Sequence, residues 1–310
     1  MAYKTTSCAK YAAVIEKMEH HMRVSGSPFS TQMVYIRSVR DLMERLGDVP
    51  ECLSGDQIKS HLSGFRGVLS SSAMNLRVCA IKYYFRHVLR RPELVVSIPN
   101  PRVAKYDQEV LTTQELTILF AACTRMRERA VLHLLYDCGL RSREVCSIKL
   151  SDFERVNQKL TIRNSKGGKL RVVPYSPYLR TTFVQYFGTL RAHPLVYLFE
   201  NHDNAGQAIT VRGVQYIVKE VLKRSKLKKE VHPHTFRHTF AVHFIENGGN
   251  LLRLKELLGH EHLETTFHYL KFCKIPLADV PTPLAVLLAR QEAEKAAKTA
   301  ALNAANAAKK

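Results

Sequence analysis

No apolar run in this chain of 310 residues reaches the length that spans a bilayer, so the sequence offers no transmembrane helix. The first twenty residues, MAYKTTSCAKYAAVIEKMEH, carry acidic side chains and no long apolar core, and do not read as a secretory signal. The seven cysteines, at 8, 52, 79, 123, 138, 146 and 273, are odd in number and scattered, with no C-x-x-C pair. That argues against a disulfide framework and reads as reduced, mostly buried thiols of a cytosolic protein. There is no Walker lysine loop, no H-E-x-x-H, no carboxylate cluster of the two-metal nuclease kind and no repeat of solenoid period. Acidic side chains are also scarce: 27 Asp and Glu stand against 47 Lys and Arg, for a net charge of +20 and a pI of about 9.8. Residues 1–105 hold 16 basic and 8 acidic groups, so +8 falls there and +12 on the remainder. A positive charge spread over the whole chain points to nucleic acid, because each neutralised phosphate releases counterions. An anionic membrane surface is the rival partner.

What is present is an ordinary globular composition, 45% apolar, in a chain long enough for two domains. From Tyr11 to about Val96 the sequence reads as helices: YAAVIEKMEHHMRV, STQMVYIRSVRDLMERL with Ser30 as N-cap, DQIKSHLSGFRGVL, and SAMNLRVCAIKYYFRHVL. In the last of these, helical spacing predicts a buried stripe at Leu76, Cys79, Ala80, Tyr83, Tyr84 and Val88, with Arg77, Lys82, Arg86 and Arg90 pointing elsewhere. The segment IPNPRVAKYDQEV has two prolines and no periodicity, and reads as an interdomain linker. Beyond it, Thr113 is the expected cap of TTQELTILFAAC. RERAVLHLLYDCGLRSREVCSIKLSDF reads as two helices broken at Gly139, and KLTIRNSKGGKLRVVPYS as a β-hairpin around Gly167-Gly168. AITVRGVQYIVKEVLKRSKL, HPHTFRHTFAVHFIENGG and LLRLKELLGHEHLETTFHYLKF are helical. The alanine-rich ARQEAEKAAKTAALNAANAAKK has helix propensity but little to bury, so it is expected to be disordered or docked on a neighbour.

Several polar groups stand out against this background. Arg141 lies two residues after Gly139, with Ser142 the expected N-cap of the next helix and Glu144 in its first turn, an arrangement suited to an anion or to a plain surface turn. Lys166 sits at the hairpin turn, where most lysines are merely solvated. His234 and Arg237 lie at i and i+3 on one helix face. His260 follows Gly259 at a helix C-terminus, and Tyr269 lies nine residues on, where a lone tyrosine is ordinarily core packing. Zinc competes for the histidines of HPHTFRHTFAVH, but no cysteine or carboxylate stands at ligand spacing within that stretch. His232, His238 and His243 read as packing, capping or DNA-facing groups, and no metal is expected.

The ordered set G-L-R-x-x-E, then a lysine in a β-turn, then H-x-x-R, L-G-H and a tyrosine resembles the tyrosine recombinase (phage integrase) family, in its simple two-domain, Xer-like form. The strings that carry it are LLYDCGLRSREVCSIKLSDF, SKGGKLRVVPYS and HPHTFRHTFAVHFIENGGNLLRLKELLGHEHLETTFHYL, so the likeness covers residues 110 to about 275 strongly and the N-terminal helices weakly. Ser142-Arg143 replaces the family's more usual aliphatic and small pair. No stretch of the sequence reads as an additional N-terminal arm-binding domain, so arm-site recognition of the elaborate phage type is not expected. The resemblance implies a mainly α protein with a small β-sheet (α+β). A helical core-binding domain at 1–105 and a mixed α/β catalytic domain at 106–283 would close as a C-shaped clamp on DNA, with a tail at 284–310 docking on a neighbouring protomer. It implies a site-specific recombinase that cuts and rejoins strands through a 3′-phosphotyrosine and a Holliday junction, without metal, ATP or other cofactor. Tyr269 would be the nucleophile, Arg141 and Arg237 the phosphate clamp, and Lys166 the proton donor to the leaving group. His234 and His260 would assist, and Glu144 would position Arg141. Arg77, Lys82, Arg86 and Lys169 are the candidate DNA contacts. The implied partners are duplex DNA with paired half-sites, a homo-tetramer on synapsed DNA, and a second recombinase or accessory protein. The implied location is the cytoplasm, at the nucleoid. Two other readings share the residues: type IB topoisomerase-like relaxation, and a catalytically silent DNA-binding relative.

Overall fold

Apolar side chains at three- and four-residue spacing fold the first described stretch into four helices. They are α1 (Ala12–Val24), α2 (Phe29–Leu46), α3 (Gly55–Ser63) and α4 (Ser71–Tyr83). This is a computed structural model, and it describes residues 11–102, 109–163, 170–201, 204, 206–274 and 282–307. Met18 and Met22 of α1, Val39, Leu42 and Met43 of α2, Ile58 of α3 and Ile81 of α4 are all removed from solvent and form one core. Helix α3 begins in a reciprocal cap: Ser54 Oγ accepts from Gln57 N, and Gln57 Oε1 accepts from Ser54 N at 2.8 Å. Helix α2 has no such cap, since it starts at Phe29 directly after Pro28 and the expected Ser30 is already inside it.

The stripe expected along α4 is also corrected. Leu76 is 42% exposed, and the buried positions are Val78, Ala80 and Ile81, followed by Tyr84, Phe85 and Val88. Ala80, Tyr84 and Val88 are buried as expected, whereas Cys79 and Tyr83 are only partly buried. The buried face is thus turned toward Val78, Ile81 and Phe85, and the chain passes into a π-helical turn at Tyr84–Val88.

The chain divides between this unit, Met1–Tyr106, and a second, Asp107–Lys310. The second opens with α5 (Thr113–Ala121), α6 (Met126–Asp137) and α7 (Ser142–Ser147), followed by strands β1 (Phe153–Glu154), β2 (Lys159–Ile162) and β3 (Arg171–Pro174). Then come α8 (Pro177–Gly188), α9 (Val211–Ser225), α10 (Pro233–Glu246), α11 (Leu251–Leu258) and α12 (Glu264–Phe267), with a 3₁₀ turn at His268–Phe272 and, last, α13 (Pro283–Ala307). Thr112, not Thr113, caps α5, in a box with Glu115. Helix α8 was not anticipated from periodicity. Its signal is local, Ser176 at the N-cap and Pro177 at the first helical position.

Helix α6 is the axis of the second core. Ala130, Val131, Leu132, Leu134 and Leu135 are fully buried, and α5, α7, α8, α9 and α10 pack around it. Each such leucine stabilises the fold by roughly 1.5–3 kcal/mol. The three strands form an antiparallel sheet in the order β1-β2-β3, with Leu160 opposite Val173 and Ile162 opposite Arg171. All four of those side chains are buried, so the inward face of the sheet carries one charged residue among three aliphatics. A smaller cluster joins Ala241, Val242 and Ile245 of α10 to Leu254 and Leu258 of α11 and to Tyr269. The described side chains of α13 are all exposed. No helix among the described residues is long and apolar enough to cross a membrane.

One turn fixes how α6, α7 and α10 meet. Gly139 has φ +59°, and a Cβ placed on it would lie 2.5 Å from Cδ1 of Phe240 on α10. Both the left-handed backbone and the close approach of α10 require glycine. Gly139→Ala is expected to cost about 1–3 kcal/mol in denaturant unfolding, since a left-handed non-glycine residue alone costs roughly 1–2 kcal/mol. An unchanged unfolding midpoint would show that the turn relaxes freely.

Candidate active site

Four segments converge on one cleft in the second unit: the turn after α6, helix α10, the C-terminal end of α11, and α12 with the 3₁₀ turn after it. The lining side chains come from Arg141, His234, Arg237, His238, His260 and Tyr269, with Glu264, Thr265 and His268 at its edge. The cleft holds about 580 Å³.

Arg237 lies at its centre and is wholly buried. Its Nη1 donates to the Gly139 carbonyl at 2.8 Å, and its Nη2 to the Leu258 carbonyl at 2.5 Å and to Nε2 of His260 at 3.2 Å. Burial, with repulsion from Arg141, pulls its pKa down to about 10, so it remains charged at neutral pH. Helix α10 presents Arg237 in this position because Pro233 and the Thr235 side chain, which accepts from the His232 amide, fix its first turn.

A guanidinium only donates, so Nε2 of His260 must accept, and the proton of this imidazole sits on Nδ1. Nδ1 is 2.9 Å from the hydroxyl of the fully buried Thr266, which accepts it. Burial and the nearby arginines pull His260 down to about 4, which agrees with a neutral ring. His234 is lowered by the same two causes. Burial, then repulsion from His234 and Arg237, drives His238 down to about 3. Its ring lies 4.4 Å from that of His234 and 5.4 Å from that of Tyr269, and neither of its nitrogens has a hydrogen-bond partner among the described residues. Tyr269 is buried at 3% exposure and lines the cleft beside Arg237. Burial raises its pKa, and the positive charge of Arg237 opposes that rise.

Beneath the cleft lies a buried carboxylate. Glu144, 1% exposed, accepts from the Arg141 amide at 2.8 Å and from Arg141 Nη1 at 3.1 Å. Glu144 therefore caps α7 through Arg141, and the expected N-cap Ser142 is the first residue inside the helix. Both carboxylate oxygens also accept from Arg171 of β3, each at 2.7 Å, and Arg237 Nη1 approaches to 3.8 Å. Burial by itself would raise the Glu144 pKa, but the hydrogen bonds and charge of Arg171 outweigh it and hold the carboxyl below its usual range.

The structure thus brings together Arg141, Glu144, His234, Arg237, His260 and Tyr269. Lys166 and Lys169 lie outside the described residues. Arg77, Lys82 and Arg86 belong to the first unit. There Arg77 pairs with Asp41 and stacks 4.0 Å from the centre of the Phe65 ring, Lys82 donates to Asn100 at 2.6 Å, and Arg86 is exposed. Arg77 is thereby engaged within the unit. Two residues at the site were not among the expected catalytic set: His238, read as a packing, capping or DNA-facing group, and Arg171. The signal for Arg171 was its phase, since alternation from Val173 turns position 171 inward.

The sequence model of the phage integrase family matches residues 109–274. The tyrosine recombinase XerA of Thermococcus kodakarensis is 32% identical over 260 residues, 83% of this chain and 90% of that protein. Two solved structures share the fold. The Tn1549 transposon integrase in complex with transposon right end DNA matches at TM-score 0.66 and 18% identity, over 92% of this chain and 99% of the other. A lambda integrase tetramer bound to a Holliday junction matches at TM-score 0.67 and 18% identity, over 81% and 77%.

The depressed histidines have a pH consequence. Unfolded, each takes up a proton near pH 6.5, whereas folded it resists until about pH 4 for His260 and about pH 3 for His238. The unfolded state therefore binds more protons in that window, and stability present above pH 6.5 is lost as the pH falls toward 4. His61 and His133, each at about 4, add to the same slope. The thermal midpoint should drop steadily from pH 7 to 4.5, less steeply in His238→Asn. Parallel profiles for the two proteins would show that His238 does not contribute.

Proposed function

This chain belongs to the phage integrase family and is a tyrosine-type site-specific recombinase, and from that premise we propose that it exchanges duplex DNA strands through a 3′-phosphotyrosine formed at Tyr269. The observation that carries the reading is Tyr269 in the same cleft as Arg141, Arg237 and His260, all from one chain. That arrangement also favours delivery of the nucleophile in cis.

The Tyr269 oxygen attacks a backbone phosphorus, a Tyr O–P bond forms, and the P–O5′ bond breaks. The phenol proton leaves toward His234, a neutral imidazole at its depressed pKa and so able to accept it. Lys166 returns a proton to the 5′-oxygen. Negative charge grows on the non-bridging oxygens, where Arg141 and Arg237 donate. A single oxyanion donor is worth about 2.7–4 kcal/mol. His260 supports the phosphate in one of two ways. In the tautomer described, it steadies Arg237. If the Thr266 hydroxyl turns to donate to Nδ1, the proton moves to Nε2, which can then donate to the phosphate itself. The reverse attack by a 5′-hydroxyl of the partner duplex releases the tyrosine and joins the strands. Bond energy is conserved, so no nucleotide cofactor enters.

Duplex DNA with paired half-sites is the substrate. The helical unit contributes to DNA binding, with Arg86 exposed and Lys82 able to meet phosphate once it exchanges its Asn100 partner, and Lys169 is a further DNA contact. Four protomers synapse two sites and resolve a Holliday junction, with α13 as the linking element. Its Leu284, Leu287 and Leu288 are 65%, 52% and 49% exposed, an apolar stripe suited to a neighbouring protomer.

Nicked duplexes from the DNA flanking the gene, incubated with the protein in EDTA, should yield a covalent adduct on a denaturing gel that is absent with Tyr269→Phe. An adduct that survives the substitution would move the nucleophile elsewhere. Relaxation of supercoiled plasmid lacking any target site would favour the topoisomerase reading. Truncation after Pro283 should preserve DNA binding and abolish cooperative recombination. Full recombination by the truncated protein would remove α13 from the assembly.

A further inference from the structure

The Arg171–Glu144 pair lies under the cleft, and its role is not accounted for by the reaction path above. We propose that Arg171 is a charge-balancing residue: it neutralises Glu144 so that Arg141 and Arg237 keep their positive charge for the phosphate. This rests on the reading of the cleft as the phosphoryl-transfer site.

The geometry is one-sided. Arg171 takes both oxygens of Glu144 in a fork at 2.7 Å each, whereas Arg141 reaches one of them with Nη1 at 3.1 Å and Arg237 comes only to 3.8 Å. Bidentate pairing is the strong form of the guanidinium–carboxylate bond. Arg171 is held in that fork from behind: its Nε donates to the Leu257 carbonyl at 2.7 Å, and its Cδ passes where a Cβ on Gly259 would lie 3.1 Å away. The carboxylate serves the site by holding the Arg141 amide and side chain. Alone, it would also cancel one of the two charges that the phosphate needs. With the ring histidines neutral, Arg141, Arg237, Arg171 and Glu144 together leave two positive charges, and without Arg171 they leave one. A phosphodiester carries one negative charge and the pentacoordinate phosphorane two, so the full set matches the transition state.

A bracing role through Leu257 alone is the alternative, and removal of the opposing charge separates the two. The readout is binding of inorganic phosphate to the full-length protein, taken as the part that Arg141→Gln abolishes. Arg171→Gln should weaken it about tenfold or more, as loss of a charged donor does in a water-poor site. The double variant Arg171→Gln/Glu144→Gln restores the net charge and should bind phosphate at least about threefold more tightly than Arg171→Gln, short of the unaltered protein because glutamine holds Arg141 less firmly. A double variant that does not fold, or that binds no more tightly than Arg171→Gln, would show a brace and overturn the proposal. So would an Arg171→Gln protein with unaltered affinity. Phosphate binding needs no strand transfer, so absence of a Tyr269–DNA adduct from the unaltered protein would count against the recombination path and leave this result standing apart.

Discussion

A carboxylate with 1% exposure stays ionised only if cations take the place of water, and at Glu144 three arginines do so from three directions. Each belongs to a different element: Arg141 to the turn before α7, Arg171 to β3, Arg237 to α10. Buried ion clusters contribute little net stability compared with an apolar core, yet losing one partner typically costs 3–5 kcal/mol because the remaining charge is stranded. The cluster therefore acts as a constraint on geometry. A shift of α10 against the sheet, or of β3 against α7, strands a charge, and the cleft above it keeps its shape for that reason.

The same crowding of positive charge governs the histidines. Burial disfavours their charged form first, and the arginines add repulsion, so His234, His238 and His260 are neutral across the physiological range. A neutral imidazole is both donor and acceptor, which an imidazolium is not. The Arg237–His260–Thr266 chain uses both capacities at once. Permanent charge thus comes from arginine, and adjustable protons come from histidine.

How much of this the sequence revealed depends on the range of the interaction. Gly139, Arg141, Glu144, His234, Arg237, His260 and Tyr269 were legible because their types, order and spacing form a pattern, and the helices bearing them follow apolar periodicity. Helix starts were misjudged by one position twice: Thr112 caps α5 because its hydroxyl reaches the third amide, and α7 starts from Arg141 because Glu144 reaches back to the Arg141 amide. The phase of α4 was legible at Ala80, Tyr84 and Val88 and missed at Leu76, Cys79 and Tyr83. Apolar residues there stand on more than one face, and composition alone does not choose the buried one. Arg171 failed for the opposite reason. Its alternation with Val173 was present, but a charge at an inward position makes sense only once Glu144, 27 residues away, is known to lie beneath it. Tertiary contacts of that range decide which charged residues are buried.

Tyr269 illustrates how the resting cleft restrains its own chemistry. Its hydroxyl is buried and burial raises its pKa, while the charge of Arg237, which faces phosphate on the proposed path, works against that rise. A phenol in that position does not ionise at neutral pH. On the proposed path it need not ionise beforehand, because the developing bond to phosphorus removes the need for a full phenolate. The Gly139 and Leu258 carbonyls hold Arg237 in place for the arriving phosphate. On this account burial keeps the nucleophile inert, and the residue that opposes that restraint is the one that assists its attack.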